Sequence, residues 1–160
     1  MKPATDEVCL DSALRLLSRR DHSCWELARK LELRGFSADA VACAVAACKR
    51  LNYLDDARFC DAYTAELRRK GNGVMRIVQK LKSKGVPAPC IQTSIASQCH
   101  ETEQVKDCRR ALEKKIGKRP GRSAEAPDEL RLRRFLFNRG FSADVIRQVL
   151  QEGAADADGD

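Results

Sequence analysis

Six consecutive residues occur twice in this 160-residue chain. Arg34-Gly35-Phe36-Ser37-Ala38-Asp39 returns unchanged as Arg139-Gly140-Phe141-Ser142-Ala143-Asp144. The order of residue types describes a helical corner. Arg suits the last turn of a helix, where the backbone carbonyls carry partial negative charge. Gly can take the left-handed cap conformation that a Cβ penalises. Phe covers the joint, Ser caps the next helix, and Asp lies in its first turn. A third, degraded copy, Lys84-Gly85-Val86-Pro87-Ala88-Pro89, keeps the cation, the Gly and the apolar corner, and opens its next helix with Pro. Gly35, Phe36, Gly85, Val86, Gly140 and Phe141 are therefore structural corner residues.

The glycines stand 50 and 55 residues apart, a spacing suited to helical repeats. Alignment on them tests the idea. Eight residues before each Gly are Leu27, Ile77 and Leu132; four before are Leu31, Leu81 and Leu136. One after are Phe36, Val86 and Phe141; six after are Val41, Ile91 and Ile146; ten after are Val45, Ile95 and Leu150. All five positions are apolar in all three copies. The pattern predicts an all-α chain of three tandem three-helix repeats, over residues 5–54, 55–100 and 101–152. A basic linker interrupts the third at 117–127, and an acidic flexible tail occupies 153–160.

Within the first repeat, Thr5 is placed to cap a helix whose face carries Leu10, Leu14 and Leu17. Ser23-Cys24-Trp25-Glu26 has the form of a capping box. Ser37 starts the third helix. His22, beside a cap and with no nucleophile in view, reads as a polar loop residue. Asp55-Asp56 caps the fourth helix, with Phe59, Tyr63 and Leu67 inward. Gly71-Asn72-Gly73 is a tight turn that lacks the Lys-Ser/Thr ending of a phosphate-binding loop. Val74, Ile77, Val78 and Leu81 form the core face of the fifth helix. Pro87 and Pro89 open the sixth, with Ile91, Ile95 and Cys99 inward. Thr102 caps the seventh, which buries Val105, Cys108, Leu112 and Ile116. Pro127-Asp128-Glu129 opens the eighth and Ser142 the ninth.

Charge is unevenly spread. Residues 1–56 hold nine Lys/Arg and nine Asp/Glu; residues 57–122 hold sixteen and six; residues 123–160 hold five and eight. The basic middle points to an anionic partner. Arg68, Arg69 and Lys70 form one cluster there. Arg76, Lys80 and Lys84 follow at i, i+4 and i+8, one stripe along the fifth helix. Arg131, Arg133 and Arg134 supply a third group in the last repeat. These nine residues are the candidate contacts for a partner or nucleic acid.

The eight cysteines contain no C-x-x-C pair, and only His22 and His100 could join them at a metal. Buried free thiols are expected, with neither metal nor cofactor. The first residues do not have the shape of a signal peptide, and no stretch reaches membrane-spanning length. A reducing cytoplasm is the expected compartment.

The ordered set of elements resembles the RecX family of bacterial recombination regulators. It comprises Arg20-Asp21-His22-Ser23, Glu26-Leu27, Lys30-Leu31 and Gly35-Phe36, then Tyr53-Leu54-Asp55-Asp56 and Arg58-Phe59. Lys70-Gly71-Asn72-Gly73, Ile77, Leu81, Lys84-Gly85-Val86 and Arg139-Gly140-Phe141-Ser142 complete it. The resemblance implies an elongated, curved array of repeats. It also implies a partner, the RecA filament on single-stranded DNA, with the DNA met directly or within the filament. Binding would lower ATP hydrolysis, strand exchange and co-protease action. A monomer acting away from membranes is expected. Three other classes compete, among them a purely structural protein–protein adaptor, whose binding would be insensitive to both DNA and RecA. A helix-turn-helix module binding DNA independently of RecA would also use the basic middle. An enzyme is disfavoured by the absence of a nucleophile motif, metal spacing or dinucleotide fingerprint.

Overall fold

The computed structural model describes residues 5–117 and 128–157. Nine helices and no strand occur among them. The helices are α1 Thr5–Leu17, α2 Cys24–Glu32, α3 Ala38–Arg50, α4 Asp56–Arg69, α5 Val74–Ser83, α6 Ala88–Gln98, α7 Glu101–Gly117, α8 Glu129–Asn138 and α9 Ala143–Ala157. The stretch read as an acidic tail thus begins helically, since α9 runs to Ala157. Residues 158–160 and most of the expected linker (118–127), with its helix-opening Pro127, lie outside the described residues. No described helix is long and apolar enough to cross a membrane.

The three corners have the anticipated backbone. Gly35, Gly85 and Gly140 have φ of +88°, +66° and +89°, the left-handed region in which a Cβ is strained. Behind each, the amide of the next residue closes the helix end: Phe36, Val86 and Phe141 donate to the carbonyls of Leu31, Leu81 and Leu136. Those three leucines are completely buried, positions at which truncation to Ala costs about 2–5 kcal/mol. Ser37 and Ser142 accept from the amides of Ala40 and Val145, as caps should.

The chain packs as two compact units whose border does not follow the repeats. One comprises Met1–Tyr63 with Leu81–Gln92, the other Thr64–Lys80 with Thr93–Asp160. Each helix of the second repeat is therefore shared between them. In the first unit the core of α1, α2 and α3 is built on Cys9, Ala13, Leu16, Leu27, Leu31, Ala40, Val41, Ala44 and Cys48. The face of α1 is rotated from the expected one. Cys9, Ala13 and Leu16 are buried, while Leu10, Leu14 and Leu17 pack only partly. The reason is steric: α1 lies most closely against α3, and close helix approach selects small side chains such as Ala13, Ala40 and Ala44 rather than the largest available.

In the second unit, Val105, Cys108, Ala111, Leu136, Phe141, Val145, Ile146 and Val149 form the core of α7, α8 and α9. Ile116, expected inward, is exposed. Thr102 does not cap α7, which already begins at Glu101; Gln104 donates its amide to the His100 carbonyl. Asp55 does cap α4, accepting from Ala57 and Arg58 amides at 2.8 and 3.1 Å. Asp56 instead reaches back to the N-terminus of α2, accepting from the Cys24 amide at 2.8 Å.

All eight cysteines carry free thiols. Five are buried, Cys24 and Cys90 are half-buried, and Cys43 is exposed. Cys43 departs from the expectation of a small core hydrophobe because, one residue before the buried Ala44, it falls on the outer side of α3. Burial pushes the Cys108 thiol up to about 12 and, with the charge of Asp56, the Cys24 thiol up to about 11.

Candidate partner-binding surface

The nine candidate cations fall into distinct environments. Lys84 is turned inward within the first unit. Its ammonium lies 2.7 Å from Glu26, a carboxylate only 8% exposed as a residue. Arg20 holds the same carboxylate with two guanidinium nitrogens, at 2.9 and 2.7 Å. Burial alone would push the Glu26 carboxyl up, but the hydrogen bonds from Arg20 and Lys84 outweigh it and hold it down to about 2. The expected capping box is therefore half formed. Ser23 Oγ accepts from the Glu26 amide at 3.0 Å, while the carboxylate serves the two cations instead of the cap backbone. His22 is the loop residue expected between α1 and α2, but it is buried beside this network. Its Nδ1 stands 2.9 Å from the Arg20 carbonyl and its Nε2 2.9 Å from Lys30 Nζ. Burial lowers its pKa, so the neutral ring donates to the carbonyl and accepts from the lysine.

Arg68 is similarly occupied in the second unit. Its Nε donates to Asp107 at 2.6 Å and its Nη2 to Glu103 at 2.9 Å. Burial opposes its charge, but the Asp107 hydrogen bond and charge prevail and raise its pKa. Lys70 pairs with Glu66 one turn back. Arg133 pairs with Glu129 at 2.7 Å and Arg131 with Asp128 at 3.6 Å. These last three are exposed pairs of the kind worth about 0–1 kcal/mol, and a partner could recruit the cations at little cost. Arg69 and Arg134 are exposed.

Arg76 and Lys80 come together with residues that the charge pattern did not single out. They line an open hollow of about 500 Å³ with Met75, Gln79, Phe137 and Asn138. Phe137 is 60% exposed and Met75 59%. Arg76 donates to the Asn138 carbonyl at 2.8 Å, which fixes the guanidinium at the rim. A cationic rim around an exposed aromatic ring and a thioether can grip a phosphate while stacking a base, or receive an apolar side chain flanked by acids. One sequence signal pointed to Phe137. Three residues before the corner glycine the first two repeats carry Glu32 and Lys82, on solvent-facing turns; the third carries Phe.

Family models match along the chain in three consecutive blocks: RecX first three-helix domain at residues 9–48, second at 55–95 and third at 101–150. The chain belongs to the RecX family. Similar proteins named Regulatory protein RecX include one from Legionella pneumophila, 39% identical over 142 residues that cover 89% of this chain and 92% of the relative. One from Chlorobaculum tepidum is 39% identical over 145 residues, covering 89% and 86%. The fold is likewise similar to the crystal structure of RecX from Lactobacillus salivarius, with a TM-score of 0.77 at 19% identity over 92% of this chain and 96% of that one. The fold is that of RecX: tandem three-helix domains without strands among the described residues. The RecX relatives are named as regulators and not as enzymes.

Proposed function

We propose that this RecX-family chain is a cytoplasmic, non-enzymatic regulator that binds the RecA filament on single-stranded DNA. By binding it lowers ATP hydrolysis, strand exchange and co-protease action. Family membership supports the partner. The hollow rimmed by Arg76 and Lys80 supports the surface, and it is the observation that carries the reading of where contact is made. It is basic, as an anionic nucleoprotein filament requires, and its floor offers Phe137 and Met75, so contact need not be electrostatic alone.

The test is RecA ATPase on single-stranded DNA, titrated with the wild type and with the Arg76→Ala/Lys80→Ala variant. Circular dichroism verifies the variant's fold. The expected result is loss of most inhibition, larger at low salt, where exposed charge steers association most strongly. Full inhibition by the folded variant refutes the assignment of this surface. Naked-DNA affinity separates the competing reading, a DNA-binding module independent of RecA. In that case inhibition tracks naked-DNA binding at every salt concentration, and the salt slope falls by up to about two units, one per lost phosphate contact.

A further inference from the structure

Several lysines of this chain meet a carboxylate directly. Lys70 pairs with Glu66, Lys84 with Glu26 and Lys106 with Glu103. Lys30, on α2 in the first unit, is met differently. Its Nζ lies 2.9 Å from the Nε2 of His22. That ring is buried and neutral, and its Nδ1–H is committed to the Arg20 carbonyl. It accepts a hydrogen bond but offers no negative charge to hold an ammonium. Glu26 stands off at 4.0 Å and is already held by Arg20 and Lys84.

The surrounding charge works the same way. Besides Glu26, the charged groups acting on Lys30 are Arg20 in the loop before α2, Lys84 just beyond α5 and Arg34 just beyond α2, all of them cations. Withdrawal from water and crowding by cations both disfavour the protonated form of an amine, and both make a lysine nucleophilic. Burial first, then Arg20, Lys84 and Arg34, hold the Lys30 ammonium below the usual lysine range against the opposing pull of Glu26. Yet 36% of the side chain remains exposed, so a small molecule can reach the nitrogen. Counting Lys30 itself, four cations surround one carboxylate, an excess that draws small anions.

We infer that Lys30 is an acylation site for acyl phosphates, with its amine held against the neutral ring of His22 and the phosphate drawn in by the cations around it. The ammonium first loses a proton to water. The neutral amine keeps one N–H on His22 Nε2 and attacks the acyl carbon with its lone pair. The bond from that carbon to the phosphate oxygen breaks, and inorganic phosphate departs with the proton that the nitrogen gives up. His22 is a positioning residue and makes no bond to the acyl group. The amide product still has one N–H, which His22 Nε2 can accept, so the modified side chain keeps its anchor while the cluster loses one positive charge.

The test uses the purified protein alone, independently of RecA. It is incubated with acetyl phosphate, and acetylation of each lysine is timed by peptide mass spectrometry. Lys49 and Lys82, both exposed, are the internal references. Near neutral pH, Lys30 is expected to react at least about tenfold faster than either. In a scan across about pH 7–11 its rate should bend towards a plateau at lower pH than theirs, a signature that a merely structural bond to His22 does not produce. Denaturing urea should erase the lead. With uncharged N-hydroxysuccinimidyl acetate as donor the lead should narrow, because cations do not attract that donor. The inference is overturned if Lys30 reacts no faster than the references, if its pH profile coincides with theirs, or if urea leaves its lead intact. A lead as large with the uncharged ester as with acetyl phosphate overturns the assignment of the donor.

Discussion

Replacing Lys84 by Met removes one of the two cations that hold the buried Glu26 carboxylate, while keeping the aliphatic stem. Glu26 side-chain exposure is 10%, Lys84 30% and Arg20 47%. Stripping one partner from a fully buried pair costs about 3–5 kcal/mol. Here Arg20 remains in two-pronged contact and water reaches both cations, so the loss at pH 7 should be about 1–2 kcal/mol. The pH dependence distinguishes charge from packing. Glu26 has a folded pKa near 2, below its ordinary 4.5. Its ionised contacts therefore contribute fully above about pH 4.5 and are lost as pH falls towards 2. The difference between wild type and Lys84→Met should shrink across that window. Urea unfolding followed by the fluorescence of Trp25, the chain's one tryptophan, reads the right place, since that ring lies against Gly85 beside the network. A difference of equal size at pH 7 and pH 3 would show that Lys84 acts by packing alone. No difference at either pH would refute the network's contribution.

Glycine substitutions should rank by what their Cβ meets. Gly35→Ala should cost about 1 kcal/mol, from positive φ alone, whereas Gly140→Ala, which also drives a Cβ into the backbone of Arg76, should cost at least about twice that in thermal unfolding. Equal costs would mean the joint at Gly140 is loose. Thiol labelling of native protein should modify Cys43 first and leave Cys9, Cys48, Cys60, Cys99 and Cys108 protected until unfolding. Rapid native labelling of Cys108 would contradict its burial.

Much of the fold was legible because helix ends are written locally. The corner glycines, the capping serines at 37 and 142 and the buried leucines at 31, 81 and 136 all follow from spacing within one turn or two. The face of α1 was harder to see. Spacing selects the leucines, but the closest approach to α3 selects Cys9 and Ala13, and that approach is a tertiary fact. The candidate surface was legible only as a charge excess. Lys84 and Glu26 are 58 residues apart, and Arg68 and Asp107 39. No local pattern says that these cations are spent on internal carboxylates, nor that Arg76 and Lys80 gather around Phe137.

The corners at Gly85 and Gly140 are each met by the start of the preceding repeat's middle helix, and the two meetings are held by different means. In the first, adhesion is carried by side chains: a serine hydroxyl, a tryptophan ring, and a glutamate shared by two cations. In the second, main-chain N–H groups of Gly73 and Met75 donate to the Arg139 and Gly140 carbonyls, and the Arg76 and Arg139 guanidiniums add bonds to the Asn138 and Lys70 carbonyls. An interface closed by backbone demands glycine where the two stretches of backbone touch, at Gly73 and Gly140, but asks less of the side chains that point away from it. Arg76, whose counterpart Glu26 is locked inside, can therefore keep its charge at the surface, and the residues beside it can change to suit a partner without loosening the molecule.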